Sequence, residues 1–164
     1  MNYHNITKCD MKNGKGLRTV LWLSGCEHYC KECHNPETWD SKSGIEFDKE
    51  AFEELITDLA NDYVDGLTLS GGDPLFYKNR EEVLSLLKEI KLLFPNKSIW
   101  VYTGYVFEDI SSLEHLKYID VLVDGKFVKQ LSSPSPEWCG SSNQRIIDVK
   151  KTFLNNNNIV NLGN

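Results

Sequence analysis

Three cysteines lie close together in the chain, at Cys26, Cys30 and Cys33, in a Cys-x3-Cys-x2-Cys pattern. Soft thiolates of this kind bind iron–sulfur clusters or zinc. A structural zinc site normally has four ligands, so His28 or His34 would have to complete a Cys3His site. A cubane cluster held by three cysteines instead leaves one iron open to a substrate. The spacing therefore indicates a metal centre, and zinc is the alternative to a cluster.

Two glycine-containing motifs further along the chain could bind a ligand. In Gly71-Gly72-Asp73-Pro74, the glycines allow close approach of the backbone to a ligand, and the carboxylate of Asp73 could face an ammonium group. An ordinary strand-to-helix turn is the alternative. Thr103, which precedes a glycine, could offer its hydroxyl to a sugar, and a plain loop is equally compatible with this pair.

These motifs each follow a segment that is predicted to be a strand. Strands are predicted at 18–23, 66–70, 98–102, 118–123 and, less regularly, 145–149; helices at 48–60, 79–93 and around 107–116. Alternating strands and helices predict an α/β fold with a mainly parallel sheet. There are too few units for a closed eight-stranded barrel, so we expect an open partial (β/α) barrel. The carboxyl ends of its strands would bring the motifs to one rim.

Length and composition are those of one globular domain. The chain has 164 residues, and we expect a domain at 1–154 followed by a flexible C-terminal tail at 155–164. The net charge of −6 disfavours nucleic acid as a partner. The absence of a long apolar run and the polar N-terminal sequence predict no membrane association and a cytoplasmic protein, in which thiols stay reduced. The isolated Cys9 and Cys139 are expected to be structural or incidental.

The cysteine spacing and the glycine-rich turn together resemble those of the radical S-adenosylmethionine enzymes. The resemblance implies that the three cysteines bind a [4Fe–4S] cluster, whose fourth iron is chelated by the amino and carboxylate groups of S-adenosylmethionine. One electron then cleaves the cofactor into methionine and a 5′-deoxyadenosyl radical. The turn containing Gly71, Gly72 and Asp73 is similar to the Gly-Gly-Glu-Pro motif that binds the amino group of the cofactor.

The same resemblance implies roles for four other positions. Glu32 stands where the family usually has an aromatic residue, so His34, or the backbone around Glu32 and His34, would contact the adenine instead. Lys126 would lie near the carboxylate of the cofactor and Asp124 near its ribose; a solvated turn is the alternative for both.

Four longer stretches resemble one subfamily, the activating proteins of anaerobic ribonucleoside-triphosphate reductase. They cover residues 33–40, 100–105, 120–127 and 140–145. The resemblance implies an oxidoreductase that generates a glycyl radical on the large subunit of that reductase. No glycine-rich dinucleotide fingerprint follows a strand, so an external electron donor such as flavodoxin is expected. The alternatives are another radical enzyme, of the formate-lyase activase or deazapurine synthase type, and a non-enzymatic zinc-binding interaction module.

Overall fold

The computed structural model describes residues 1–132, 134 and 137–162, and its strands form one seven-stranded sheet. The strands are β1 (Asn2–Asp10), β2 (Arg18–Leu23), β3 (Ile45–Glu46), β4 (Gly66–Gly71), β5 (Ser98–Tyr102), β6 (Val121–Asp124) and β7 (Arg145–Asp148). The helices are α1 (Lys49–Leu59), α2 (Arg80–Leu93), α3 (Phe107–Ile110) and α4 (Val149–Leu154), with short 3-10 turns at Pro36–Thr38, Glu114–Lys117 and Lys129–Leu131.

The sheet is mixed, with the order β3-β1-β2-β4-β5-β6-β7. Strands β2, β4, β5 and β6 run parallel, whereas β1 pairs antiparallel with β2 and β3, and β7 pairs antiparallel with β6. The α/β class is confirmed, but the prediction of a mainly parallel sheet is wrong. Strand β1 pairs antiparallel on one side of the four parallel strands, and β7 pairs antiparallel on the other. The strand order is that of an open sheet with β3 and β7 at its edges, and the curvature of a partial barrel stays a prediction.

One face of the sheet carries the main hydrophobic core. Alternate residues of each parallel strand point to this face, as Leu21 and Leu23 do in β2, and they pack in one cluster with α1 and α2. Helix α1 begins where the carboxylate of Asp48 accepts a hydrogen bond from the Ala51 amide at 2.9 Å. The helices cover this face of the sheet. A ligand site is therefore expected on the opposite face and at the strand ends, where the motifs lie.

On the opposite face, the amino end of β2 is covered by Arg18, whose side chain is fully buried. Its guanidinium donates to the Thr68 hydroxyl at 2.7 Å and to the carbonyls of Leu67 and Ser98 at 2.7 and 2.9 Å. It also lies 5.4 Å from the ring centroid of Trp100. Burial lowers the pKa of Arg18 to about 10, so the side chain remains a buried cation at neutral pH. This end of the face is therefore filled by side chains of the described residues.

The C-terminal segment runs along the edge strand β7. The Asp148 amide donates to the Val160 carbonyl and the Leu162 amide to the Ile146 carbonyl, both at 2.8 Å. These bonds attach residues 155–162 of the expected tail to the sheet, and the flexibility of that tail stays a prediction. Residues 163 and 164 of the tail, and residues 133, 135 and 136 of a loop expected from its serines and prolines, lie outside the described residues. Within the described part, none of the helices is long and apolar enough to cross a bilayer.

Candidate functional site

The cysteine-rich loop, residues 24–44, leaves the carboxyl end of β2 and folds back on itself. The Gly25 amide donates to the Thr38 carbonyl at 2.7 Å, and the Cys26 amide donates to the Trp39 carbonyl at 3.0 Å. A 3-10 turn at Pro36–Thr38 precedes this contact. The two ends of the loop are thereby joined, so the positions of its cysteines are set by backbone hydrogen bonds.

All three clustered cysteines line one cavity of about 420 Å³ at the carboxyl ends of the strands. Cys26 is buried, whereas Cys30 and Cys33 are half-buried. Burial raises the pKa of the Cys26 thiol to about 11. The Asn35 amide lies 3.4 Å from the Cys33 sulfur and donates to it. Among the residues that the structure describes, no three His, Cys, Asp or Glu side chains converge on a single metal-ion position.

Gly71 and Gly72 line the same cavity and pack directly against the start of the cysteine loop. A Cβ at Gly71 would lie 2.5 Å from the Leu23 carbonyl oxygen, and one at Gly72 would lie 2.5 Å from that of Gly25. Gly71 also has a φ of +103°, which L side chains rarely adopt. The Gly72 amide donates to Leu23 at 2.8 Å and the Asp73 amide to Gly25 at 2.7 Å. The glycines therefore brace the cysteine loop, a role that their sequence alone did not reveal.

Asp73 is almost completely buried, at 1% exposure, and its carboxylate has several internal partners. It lies 2.5 Å from Nε2 of His28 and accepts hydrogen bonds from the Thr103 hydroxyl at 2.8 Å and the Gly104 amide at 3.0 Å. The Leu75 amide donates to its other oxygen at 2.8 Å. His28, Thr103 and Gly104 line the cavity in front of this carboxylate. The structure thus places Asp73 behind the cavity wall, and its contact with a cofactor stays a prediction.

Three other predicted site residues are exposed. Glu32 is exposed and pairs with Lys129 at 3.7 Å. His34 lines the cavity and packs against Phe127, with 4.6 Å between ring centroids. Lys126 is exposed and borders a second, adjoining cavity of about 450 Å³, which shares His28 with the first. Of the three, only His34 lines the cavity of the cysteines.

Asp124 is buried, at 1% exposure, and is held by partners within the protein. It accepts hydrogen bonds from Nε of Arg145 at 2.9 Å and from the Phe107 amide at 2.8 Å. The same arginine also donates two hydrogen bonds to the Glu108 carboxylate, at 2.9 and 2.7 Å. Sequence reasoning assigned no partner to Arg145, and the structure shows that it joins β6, α3 and β7. The ribose contact of Asp124 stays a prediction.

The Arg145–Glu108 pair gives stability a defined pH dependence. Hydrogen bonding to Arg145 lowers the pKa of Glu108 to about 2 from its usual 4.5. The folded state therefore holds the ionised form more tightly than the unfolded chain does, so the pair stabilises above pH 4.5 and loses its effect as pH falls towards 2. Because Glu108 is largely exposed, we expect Glu108→Gln to lower the free energy of unfolding at pH 7 by about 1 kcal/mol or less.

Urea denaturation at pH 7 and pH 3 measures this dependence. The difference between Glu108→Gln and the unaltered protein should shrink at the lower pH. Glu89→Gln is the matched control, because Glu89 is exposed on α2 and has no ion pair among the described residues. A pH-independent effect of Glu108→Gln would show that the pair does not shift the titration of this carboxyl group.

The residues that line the cavity of the three cysteines fit an iron–sulfur cluster. Three thiols face one open space, and each can bind a different iron. The volume of the cavity is within the range of small-molecule sites, about 300–1,000 Å³, so it can admit a ligand beside the metal centre. Glycine backbone, a threonine hydroxyl and two histidines line part of the remaining wall, and aromatic side chains such as Trp22, Phe127 and Trp138 line another part. The arrangement can therefore hold a cluster and a polar small molecule together.

Comparison with known proteins also points to an iron–sulfur centre. The family described as a 4Fe-4S single cluster domain matches residues 12–147. Three relatives are named anaerobic ribonucleoside-triphosphate reductase-activating protein. The one from Enterobacteria phage T4 is 49% identical over 146 residues, covering 89% of this chain and 93% of the relative. Those from Vibrio cholerae and Escherichia coli are each 43% identical, over 150 and 148 residues, covering 89% and 88% of this chain and 97% and 96% of the relatives. The chain therefore belongs to the family of anaerobic ribonucleoside-triphosphate reductase-activating proteins and contains a 4Fe-4S single cluster domain.

Proposed function

We propose that this protein activates an anaerobic ribonucleoside-triphosphate reductase by generating a glycyl radical on the large subunit of that enzyme. The observation that carries the proposal is the shared cavity of Cys26, Cys30 and Cys33 with Gly71 and Gly72. The names of the relatives support the choice of partner. When bound, a [4Fe–4S] cluster supplies the electron that cleaves S-adenosylmethionine, and the resulting 5′-deoxyadenosyl radical takes a hydrogen atom from one glycine of the reductase.

In this proposal Cys26, Cys30 and Cys33 would each bind one iron of the cluster, and the fourth iron would have no protein ligand. Cys26 is the most buried of them, and its backbone amide donates a hydrogen bond to the Trp39 carbonyl. Cys30 and Cys33 are half-buried and nearer to solvent. The brace of Gly71 and Gly72 keeps the loop in place during ligand exchange.

S-adenosylmethionine would lie along the glycine turn and the ends of β5 and β6. The Gly72 amide and the Thr103 hydroxyl proton are already bonded to Leu23 and Asp73, so Thr103 would offer only an oxygen lone pair to the ribose. The backbone of Gly71 and Gly72 would allow close approach of the methionine part. His34, with the backbone next to Glu32, would pack against the adenine.

Charged residues around the cavity would complete the binding of the cofactor. The buried carboxylate of Asp73 lies behind the wall, from where its negative charge would favour the positively charged amino group. Asp124, whose charge is paired with Arg145, would orient the turn near the ribose. Lys126, at the adjoining cavity, would attract the carboxylate of the cofactor.

The proposed enzyme is an oxidoreductase that needs two protein partners. Residues 1–154 would form its activating domain in the cytoplasm, and an external donor such as flavodoxin would supply electrons. The second cavity adjoins the first and is lined by Tyr105, Asp109 and Lys126 among others, and a segment of the protein substrate would approach the site there. No nucleic acid or membrane is part of the proposed mechanism.

An anaerobic activation assay tests the proposal. The reconstituted protein is mixed with a reductant, S-adenosylmethionine and the large subunit of the reductase, and the mixture is examined by electron paramagnetic resonance. We expect the doublet of a glycyl radical, which should be absent when S-adenosylmethionine is omitted. Cleavage of S-adenosylmethionine without a glycyl signal would contradict the proposed partner. A colourless protein with one zinc per chain would contradict the proposed chemistry.

A further inference from the structure

A buried donor in the cysteine loop lacks a partner. The indole nitrogen of Trp39 is buried and has no hydrogen-bond acceptor among the described residues. The other such atom is Nδ1 of His115, whose ring is already fixed by its Nε2 bond to the Arg80 carbonyl at 2.7 Å. Burying an N–H group without an acceptor is unfavourable, and native proteins seldom leave one unpaired. The Trp39 N–H therefore calls for an acceptor.

The position of Trp39 indicates where that acceptor lies. Trp39 lines the cavity of the three cysteines, and its carbonyl accepts the hydrogen bond from the Cys26 amide. Its ring packs edge-on against Tyr29, the residue before Cys30, with 5.3 Å between centroids and an interplanar angle of 82°. The indole is thus fixed to the chain next to two of the cysteines.

A second tryptophan shows that lining this cavity does not by itself leave an indole unpaired. Trp22 also lines it, but its Nε1 donates to the Thr7 hydroxyl at 2.8 Å. The two indoles therefore differ in one respect that matters here: the N–H of Trp22 is satisfied within the protein, and that of Trp39 is not.

We propose that the Trp39 N–H donates a hydrogen bond to a cysteine thiolate that binds the cluster. A bridging sulfide in the open cavity could not reach this group, because the indole nitrogen itself is closed to solvent although other atoms of Trp39 line the cavity. An indole nitrogen can only donate, and an anionic sulfur can accept. Hydrogen bonds to cluster sulfurs raise the reduction potential, because the reduced cluster carries more negative charge. Trp39 thereby makes the cluster easier to reduce by an external donor. This inference rests on the proposed cluster at the three cysteines.

A redox titration of Trp39→Phe, without S-adenosylmethionine or reductase, tests the inference. At the potential where the unaltered protein is half reduced, the ratio of oxidised to reduced cluster should rise about three- to tenfold, tenfold being 59 mV for one electron. Trp22→Phe is the matched control and should shift the ratio by less than about twofold, because its N–H bonds to Thr7. Equal potentials for Trp39→Phe and the unaltered protein would overturn the inference. So would a shift that appears only when S-adenosylmethionine is added, since the acceptor would then be the cofactor.

Pulsed electron paramagnetic resonance of protein labelled with indole-¹⁵N tryptophan gives a test that does not need the Trp39 variant to fold. The reduced cluster should show a ¹⁵N coupling and an exchangeable proton. Both should persist in Trp22→Phe and in Trp138→Phe, since Trp22 and Trp138 also line the cavity. No ¹⁵N coupling in the unaltered protein would overturn the inference. Absence of any cluster in the unaltered protein is a different outcome, because it would contradict the proposed function itself.

Discussion

Replacing Cys26, Cys30 or Cys33 by alanine is expected to reduce bound iron and sulfide from about four of each per chain to background. All three thiols line one cavity, and losing one would leave two irons without a protein ligand. Because S-adenosylmethionine would be cleaved only at an intact cluster, each variant should also lose that activity completely. Iron and acid-labile sulfide analysis after anaerobic reconstitution measures the first effect.

The two remaining cysteines provide controls of different stringency. Cys9 is exposed on β1, so Cys9→Ala should keep its iron. Cys139 lines the same cavity as the predicted ligands. The iron content of Cys139→Ala therefore shows whether a cysteine that lines the cavity must also bind iron. We expect that variant to keep its iron as well. Full iron content in any one of the three predicted ligand variants would remove that cysteine from the ligand set.

Removing the buried carboxylate of Asp73 is expected to cause the second large effect. Asp73→Ala would leave donors at His28, Thr103, Gly104 and Leu75 without an acceptor in an almost fully buried position. Unpaired buried donors are costly, so we expect the free energy of unfolding to fall by about 3–5 kcal/mol. Urea or thermal denaturation of the protein without a cluster measures this change separately from cofactor binding.

Asp109→Ala is a suitable control for Asp73→Ala. Asp109 borders the adjoining cavity but is exposed, so its removal should change stability by less than about 0.5 kcal/mol. A loss of less than about 1 kcal/mol in Asp73→Ala would show that its hydrogen bonds are replaced by water. The wall between the two cavities would then be less rigid than the structure indicates.

The central part of the fold could be predicted because periodic burial is visible in the sequence. Helix α1 was predicted at 48–60 and spans Lys49–Leu59, and α2 was predicted at 79–93 and spans Arg80–Leu93. Strand β1 was missed because Asn2–Asp10 is mostly polar: it is buried mainly at Tyr3 and Ile6, and it is stabilised by pairing with β2 and β3. That pairing, which periodicity does not show, is what makes the sheet mixed.

The site was predictable in its placement more than in its contacts. Strand ends in a parallel sheet share one rim, and the cysteines, Gly71, Gly72 and Thr103 do line one cavity there. The partners of the buried carboxylates could not be predicted, because they come from distant parts of the chain. Asp73 meets His28 of the cysteine loop, and Asp124 meets Arg145 of β7. Such pairs follow from tertiary packing and have no local sequence signal.

Electron paramagnetic resonance of the anaerobically reconstituted and reduced protein, recorded with and without S-adenosylmethionine, tests the central claim most directly. The account predicts the signal of a reduced [4Fe–4S] cluster that changes when S-adenosylmethionine is added, because the cofactor binds the iron that the three cysteines leave open. A protein with no cluster signal and stoichiometric zinc would contradict the account, since the three cysteines would then be ligands of a structural metal.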